Sequence, residues 1–91
     1  MDKDEITKKK TALNNEIIAA NDLLFDTEHE VEDCEREVSK ARYYLAAEKT
    51  DDRVLELRGA IISLNVAKQK LAKQRAEFEQ KLKHYYEEIY S

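Results

Sequence analysis

The apolar residues in the first half of the chain follow one unbroken heptad ladder. They recur at alternating spacings of three and four residues, which is the pattern of a coiled-coil seam. The positions of this ladder are Ile6, Lys10, Leu13, Ile17, Ala20, Leu24, Thr27, Val31, Cys34, Val38, Ala41 and Leu45, and only Lys10 and Thr27 are polar. The pattern predicts a long amphipathic helix.

A second ladder occupies the other half of the chain, two residues out of phase with the first. Its positions are Val54, Leu57, Ile61, Leu64, Lys68, Leu71, Arg75, Phe78, Leu82, Tyr85 and Ile89. The frame of the first ladder would instead continue through Leu55, Gly59, Ile62 and Val66. We interpret the offset as a fold-back. The predicted fold class is all-α, an antiparallel two-helix coiled-coil hairpin.

The predicted turn lies within residues 48–52. Thr50 or Asp51 can cap the second helix, and the acidic side chains there complement its dipole. The sequence therefore predicts a single hairpin over residues 1–91, with helix 1 at about 4–48, a turn at about 49–52 and helix 2 at about 53–90. Because the turn contains no glycine or proline, one continuous helix is the alternative.

The hairpin can be given a register by placing Leu45 beside Leu57. Ala41 then faces Ile61, and small residues of the first helix mostly face large residues of the second. The polar positions also coincide, because Thr27 falls opposite Arg75 and Cys34 opposite Lys68. Paired polar layers can fix the register of a coiled coil.

Composition narrows the class of protein. Charged residues make up 40% of the chain, the net charge is −4, and there is a single cysteine. The net charge gives no general attraction to nucleic acid or to an anionic membrane, so we expect no membrane partner and do not favour a nucleic-acid partner. The lone thiol and the absence of a signal-peptide pattern favour a cytoplasmic protein. No nucleophile–base pair, phosphate loop or convincing metal-ligand spacing is present, so we expect no enzyme, cofactor or metal site.

An acidic block on the first helix is the first candidate partner site. Residues 26–37 contain seven acidic side chains and one arginine. Four glutamates flank the seam without a basic residue at the facing positions of the predicted register: Glu28, Glu30, Glu35 and Glu37. Solvated surface is the plainer interpretation. The functional one is that this surface mimics phosphate and occupies a basic groove on a protein partner.

A second set of apolar residues lies outside the seam and predicts an oligomer interface. Its members are Ile18, Leu23, Phe25, Tyr44, Leu55, Ile62 and Val66. Two hairpins that cover these residues would form a homodimer with the architecture of a four-helix bundle. A groove for a different protein is the alternative.

The C-terminal segment concentrates tyrosines. Tyr86 and Tyr90 are one helical turn apart, and exposed tyrosines are frequent binding anchors. We predict them as partner-binding residues, although an oligomer interface would use them equally well.

Three functions fit these features. The first is a non-enzymatic protein-binding module, an adaptor or inhibitor that docks on a larger assembly, of the kind encoded by phages or mobile elements. The second is a self-assembling scaffold rod. The third is a helical nucleic-acid-binding dimer that uses Lys68, Lys70, Lys73 and Arg75.

Overall fold

The structure is a computed structural model, and it describes residues 3–90. Helix α1 spans Lys3–Ala47 and helix α2 spans Asp51–Tyr90, and these described residues contain no β-strand. The predicted all-α class is confirmed. Contacts within the chain divide it into two compact units. We call residues 26–72 the turn unit, and residues 3–25 together with 73–90 the terminal unit.

The turn unit is a helical hairpin whose connection is closed by local hydrogen bonds. The Thr50 hydroxyl oxygen accepts from the Arg53 backbone N–H at 3.3 Å, and the Thr50 carbonyl accepts from the Val54 N–H at 3.2 Å. Thr50 is thus the N-cap of α2, which the sequence left open between Thr50 and Asp51. At the other end, the Glu48 N–H donates to the Tyr44 carbonyl at 2.8 Å and satisfies the last turn of α1.

The seam of the turn unit is built from alternating positions on both helices. On α1 it follows the predicted ladder, and Thr27 is its most buried residue, with 2% of its surface exposed. The other α1 residues of this seam are Val31, Cys34, Val38, Ala41 and Leu45. On α2 the buried and half-buried residues are Arg53, Leu57, Ala60, Leu64, Ala67 and Leu71.

The predicted ladder of α2 is wrong at alternate positions. Val54 and Ile61 are 51% and 41% exposed, and Lys68 is also exposed, whereas Ala67 is only 5% exposed. Leu57, Leu64 and Leu71 belong to both arrangements, so α2 is turned by roughly 50° about its axis relative to the prediction. The small side chains of Ala60 and Ala67 allow the two helices to approach closely along this line. Ile61 and Lys68, which the predicted register pairs with Ala41 and Cys34, are therefore not buried in the seam.

The terminal unit buries a similar stripe. Leu13 and Leu24 of α1 are buried, and Phe78, Tyr85 and Ile89 of α2 are half-buried. Arg75, predicted as a polar position of the seam, is exposed. Gln74 takes the seam position instead, and its side-chain oxygen is buried without a hydrogen-bond partner in the described part of the chain.

The rotation of α2 predicts that a larger side chain is tolerated at an exposed alanine of this helix but not at Ala67, which faces the seam. Ala67→Leu should lower the free energy of unfolding by about 1–3 kcal/mol, because added methylene groups overpack a close helix contact. Ala76→Leu makes the same change at an exposed position of α2 and should stay within about 0.5 kcal/mol of the wild type. Urea unfolding followed by circular dichroism measures both. A more stable Ala67→Leu variant would contradict the observed seam and favour the one through Val54 and Ile61.

Candidate interaction surfaces

The acidic block lies on the outer sides of α1 in the turn unit and forms what we call the acidic surface, residues 26–37. Six of its seven carboxylates are exposed, and only Glu28 is half-buried beside the seam. Within the helix, Arg36 pairs with Asp33 and moderates the charge, and His29 Nδ1 lies 3.6 Å from the Glu32 carboxylate. The remaining charge is predominantly negative, so the surface attracts basic groups.

Glu30 does have a basic partner. The Lys70 ammonium group lies 3.1 Å from the Glu30 carboxylate, across the two helices of the turn unit, so the expectation that Glu30 is unpaired is wrong. Both side chains are about half exposed, and such a pair contributes only about 0–1 kcal/mol. Glu35 and Glu37 form no ion pair with any described residue. The same contact partly neutralises Lys70, one of the four residues predicted for nucleic-acid binding.

A cluster centred on Arg53 braces the turn, and sequence reasoning missed it. The guanidinium group donates to Glu48 at 3.1 Å and to Glu56 at 2.9 Å, and its carbon lies 4.9 Å from the centroid of the Tyr44 ring. The hydrogen bond to Glu56 and then that to Glu48 raise the pKa of Arg53. One feature of the sequence could have revealed this cluster, because Arg53 and Glu56 are three residues apart, a spacing at which side chains on a helix can pair. Tyr44, predicted for the oligomer interface, stacks on this cation within its own chain.

Three predicted interface residues of α2 lie together on one face. Leu55, Ile62 and Val66 are 61%, 53% and 60% exposed, and Gly59 lies between them. At about 100° per residue, this line runs along the side of α2 nearly opposite the seam. We call Leu55, Gly59, Ile62 and Val66 the outer stripe. A Cβ atom added to Gly59 would meet no atom of another described element within 4 Å, so the face is open at this position.

The predicted interface residues of α1 do not form one surface. Ile18, Leu23 and Phe25 are all exposed in the terminal unit. Ile18 and Phe25 are seven residues apart and share a face, whereas Leu23 lies about 160° around the helix from Phe25. A single partner helix therefore cannot cover all three.

The tyrosines near the end of α2 form an aromatic cluster. The Tyr86 and Tyr90 rings are 5.4 Å apart, and the Tyr85 ring lies 6.0 Å from that of Tyr90. Tyr85 is half-buried, and burial raises its pKa. Tyr86 and Tyr90 are exposed, so their rings present a continuous amphipathic patch. Their role as partner-binding residues stays a prediction.

An ion pair joins the two helices of the terminal unit. Lys9 donates to the Glu88 carboxylate, and this hydrogen bond lowers the pKa of Glu88. A carboxylate whose folded-state pKa is lowered stabilises the fold above its unfolded-state pKa, and the contribution disappears as the pH falls through the lowered value. The helix pairing near Glu88 is therefore weaker in acid.

This linkage can be measured by comparison with a variant that cannot ionise. Wild type should melt at a higher temperature than Glu88→Gln at neutral pH. The difference should vanish in acid, because the protonated Glu88 carboxyl group is then uncharged, as is the glutamine of the variant. Glu79→Gln removes an exposed carboxylate from the same helix and serves as the control. Thermal unfolding followed by circular dichroism over this pH range is the measurement. A difference between wild type and Glu88→Gln that persists unchanged in acid would contradict the ion-pair explanation.

Residues 3–90 contain no cluster of three or more histidine, cysteine or carboxylate side chains placed to hold a metal ion. Neither helix has a stretch apolar and long enough to cross a membrane within that range. Cys34 lies half-buried in the seam of the turn unit.

No protein-family model matches the chain, and no curated protein or solved structure is significantly similar to it. Any function of the candidate surfaces must therefore follow from their charge, exposure and packing.

Proposed function

We propose that this chain is a small non-enzymatic protein-binding module, an adaptor or inhibitor that docks on a larger assembly through the acidic surface. The observation that carries the proposal is the exposure of Glu35 and Glu37, which form no ion pair with a described residue. Glu35 and Glu37 lie about 160° apart around α1, so a basic groove that encloses the outer side of this helix would supply both counter-charges. Complementary potentials of this kind accelerate association and exclude wrong partners.

The packing of α1 in the turn unit supports this use of its surface. Glu35 and Glu37 are held on the outside of a helix whose seam is anchored by Val31, Cys34 and Val38. Carboxylates on a packed helix keep a fixed spacing, so less conformational entropy is lost when they bind than for the same charges on a loop. We also propose that the protein is cytoplasmic and that the exposed Tyr86 and Tyr90 side chains contribute to partner binding.

A second candidate function is self-assembly, and the exposed apolar residues of α2 favour it. Leu55, Ile62 and Val66 lie on a face that the α1 seam does not cover. Two copies that bury this face would form a homodimer with the architecture of a four-helix bundle. Self-assembly and partner binding use different sides of the turn unit, so one protein can perform both.

Charge reversal on the acidic surface tests the proposed partner binding. In affinity capture from the source organism, the double variant Glu35→Lys with Glu37→Lys should lose at least one protein that the wild type retains. The physical reason is that like charges would then face the basic partner. Surface changes of this type should alter the free energy of unfolding by only about 0.5 kcal/mol. Quantitative mass spectrometry of the captured proteins is the measurement.

A matched control separates a specific loss from a general effect of charge. Glu77→Lys with Glu79→Lys makes the same change in net charge at exposed positions of α2 in the terminal unit. The control should capture the same proteins as the wild type. Identical sets of captured proteins for all three chains would refute the proposed role of the acidic surface.

A further inference from the structure

The α2 helix of the turn unit is apolar on the side away from its partner helix as well as on the side facing it. Residues 59–67 contain no charged side chain, in a chain in which charged residues make up 40%. Ala60, Leu64 and Ala67 of this segment face the seam, whereas Ile62 and Val66 face outward. A helix that is apolar around most of its circumference is normally enclosed by other helices.

The spacing of the outer stripe is the same in both directions along the helix. Leu55, Gly59, Ile62 and Val66 are separated by four, three and four residues. A two-fold axis between residues 60 and 61 would place Leu55 of one copy against Val66 of the other. The same axis places the open site at Gly59 against Ile62, so a large side chain meets a space without a Cβ atom.

We propose that the outer stripe binds the outer stripe of a second copy of this chain in antiparallel orientation. The inference rests on the self-assembly proposed above and specifies its surface, its orientation and its facing residues. Antiparallel helices bring such positions together in the way that the helices of a coiled coil do. The contact is isologous, so it closes as a dimer.

The charges at the two ends of the stripe favour the antiparallel orientation. Asp51 and Asp52 lie in the first turn of α2, and Lys70 lies one turn beyond Val66 on the same side of the helix. An antiparallel pair sets the acidic end of each copy beside the basic end of the other, whereas a parallel pair would set like charges together. Lys70 already contacts Glu30, but an ammonium group has three donors and can also reach a carboxylate of the second copy.

Gly59 is the second observation that points to close approach by another chain. It lies within a helix with a negative φ, so its backbone conformation does not require glycine. Glycine destabilises a helix interior relative to alanine, and none of the residues 3–90 crowds the position. A facing Ile62 side chain from a second copy accounts for the missing Cβ.

Analytical ultracentrifugation over a range of concentrations tests the surface. Wild type should form a dimer, and Ile62→Glu and Gly59→Glu should each weaken the dimer by about tenfold or more, because each buries an unpaired charge. Gly59→Glu also improves helix propensity, so its dissociation could not be attributed to unfolding. Ile61→Glu is the matched control on the neighbouring flank and should weaken the dimer less than Ile62→Glu. A monomeric wild type, or a control that dissociates more readily than Ile62→Glu, would overturn the proposal.

Disulfide cross-linking tests the orientation in a background that carries Cys34→Ala. Leu55 and Val66 are eleven residues apart in one helix, or roughly 16 Å, which is too far for a bond within the chain. The variant with both Leu55→Cys and Val66→Cys should give a covalent dimer on mild oxidation, and neither single variant should. Efficient cross-linking of the single Leu55→Cys variant would establish a parallel pair and refute the antiparallel one.

The two proposals fail in different experiments. The acidic-surface variants leave the outer stripe intact, and the outer-stripe variants leave Glu35 and Glu37 intact. If the wild type is monomeric and the variant with Glu35 and Glu37 reversed still loses a captured protein, this inference is refuted and the proposed partner binding is retained. A dimer with the predicted cross-link, combined with unchanged capture, would refute the partner binding and retain the self-association.

Discussion

The close packing of α1 against α2 along one narrow seam is the interaction on which the rest of the structure depends. A two-helix arrangement can bury only one stripe of each helix, so every other apolar side chain stays at the surface. In the turn unit the most buried residues are Thr27 of α1 and Ala67 of α2, at 2% and 5% exposure. Small side chains at these positions allow close approach, and dispersion contacts along the helices then add up over the length of the seam.

The choice of seam also determines what the outer surface offers. Because α2 turns Ala60 and Ala67 inward, Val54 and Ile61 lie on a flank, and Leu55, Ile62 and Val66 point away from α1. The residues that would have enlarged the core of an isolated hairpin instead remain exposed. The rotation of one helix therefore sets both the core of the turn unit and the chemistry of its surface.

The two helices of the turn unit differ in the chemistry of their outer surfaces. The outer side of α1 is acidic, and the middle of α2 carries no charge from residue 59 to residue 67. Charged surfaces act over long distances and govern the rate of association, whereas apolar stripes act on contact and govern how long a complex lasts. The short connection capped by Thr50 and braced by Arg53 joins the two helices that carry these surfaces.

The sequence by itself determined the all-α class, the place of the turn and the α1 seam from Leu13 to Leu45, because these follow from local periodicity and capping. It also identified the outer stripe, since Leu55, Ile62 and Val66 do not share the phase of the main ladder. Only the tertiary structure decided the rotation of α2, because Leu57, Leu64 and Leu71 fit two seams equally well. The same packing decided that Lys70 reaches Glu30 and that Arg53 covers Tyr44. Contacts between residues distant in the chain depend on how the two helices are turned toward each other, and periodicity along either helix leaves that angle open.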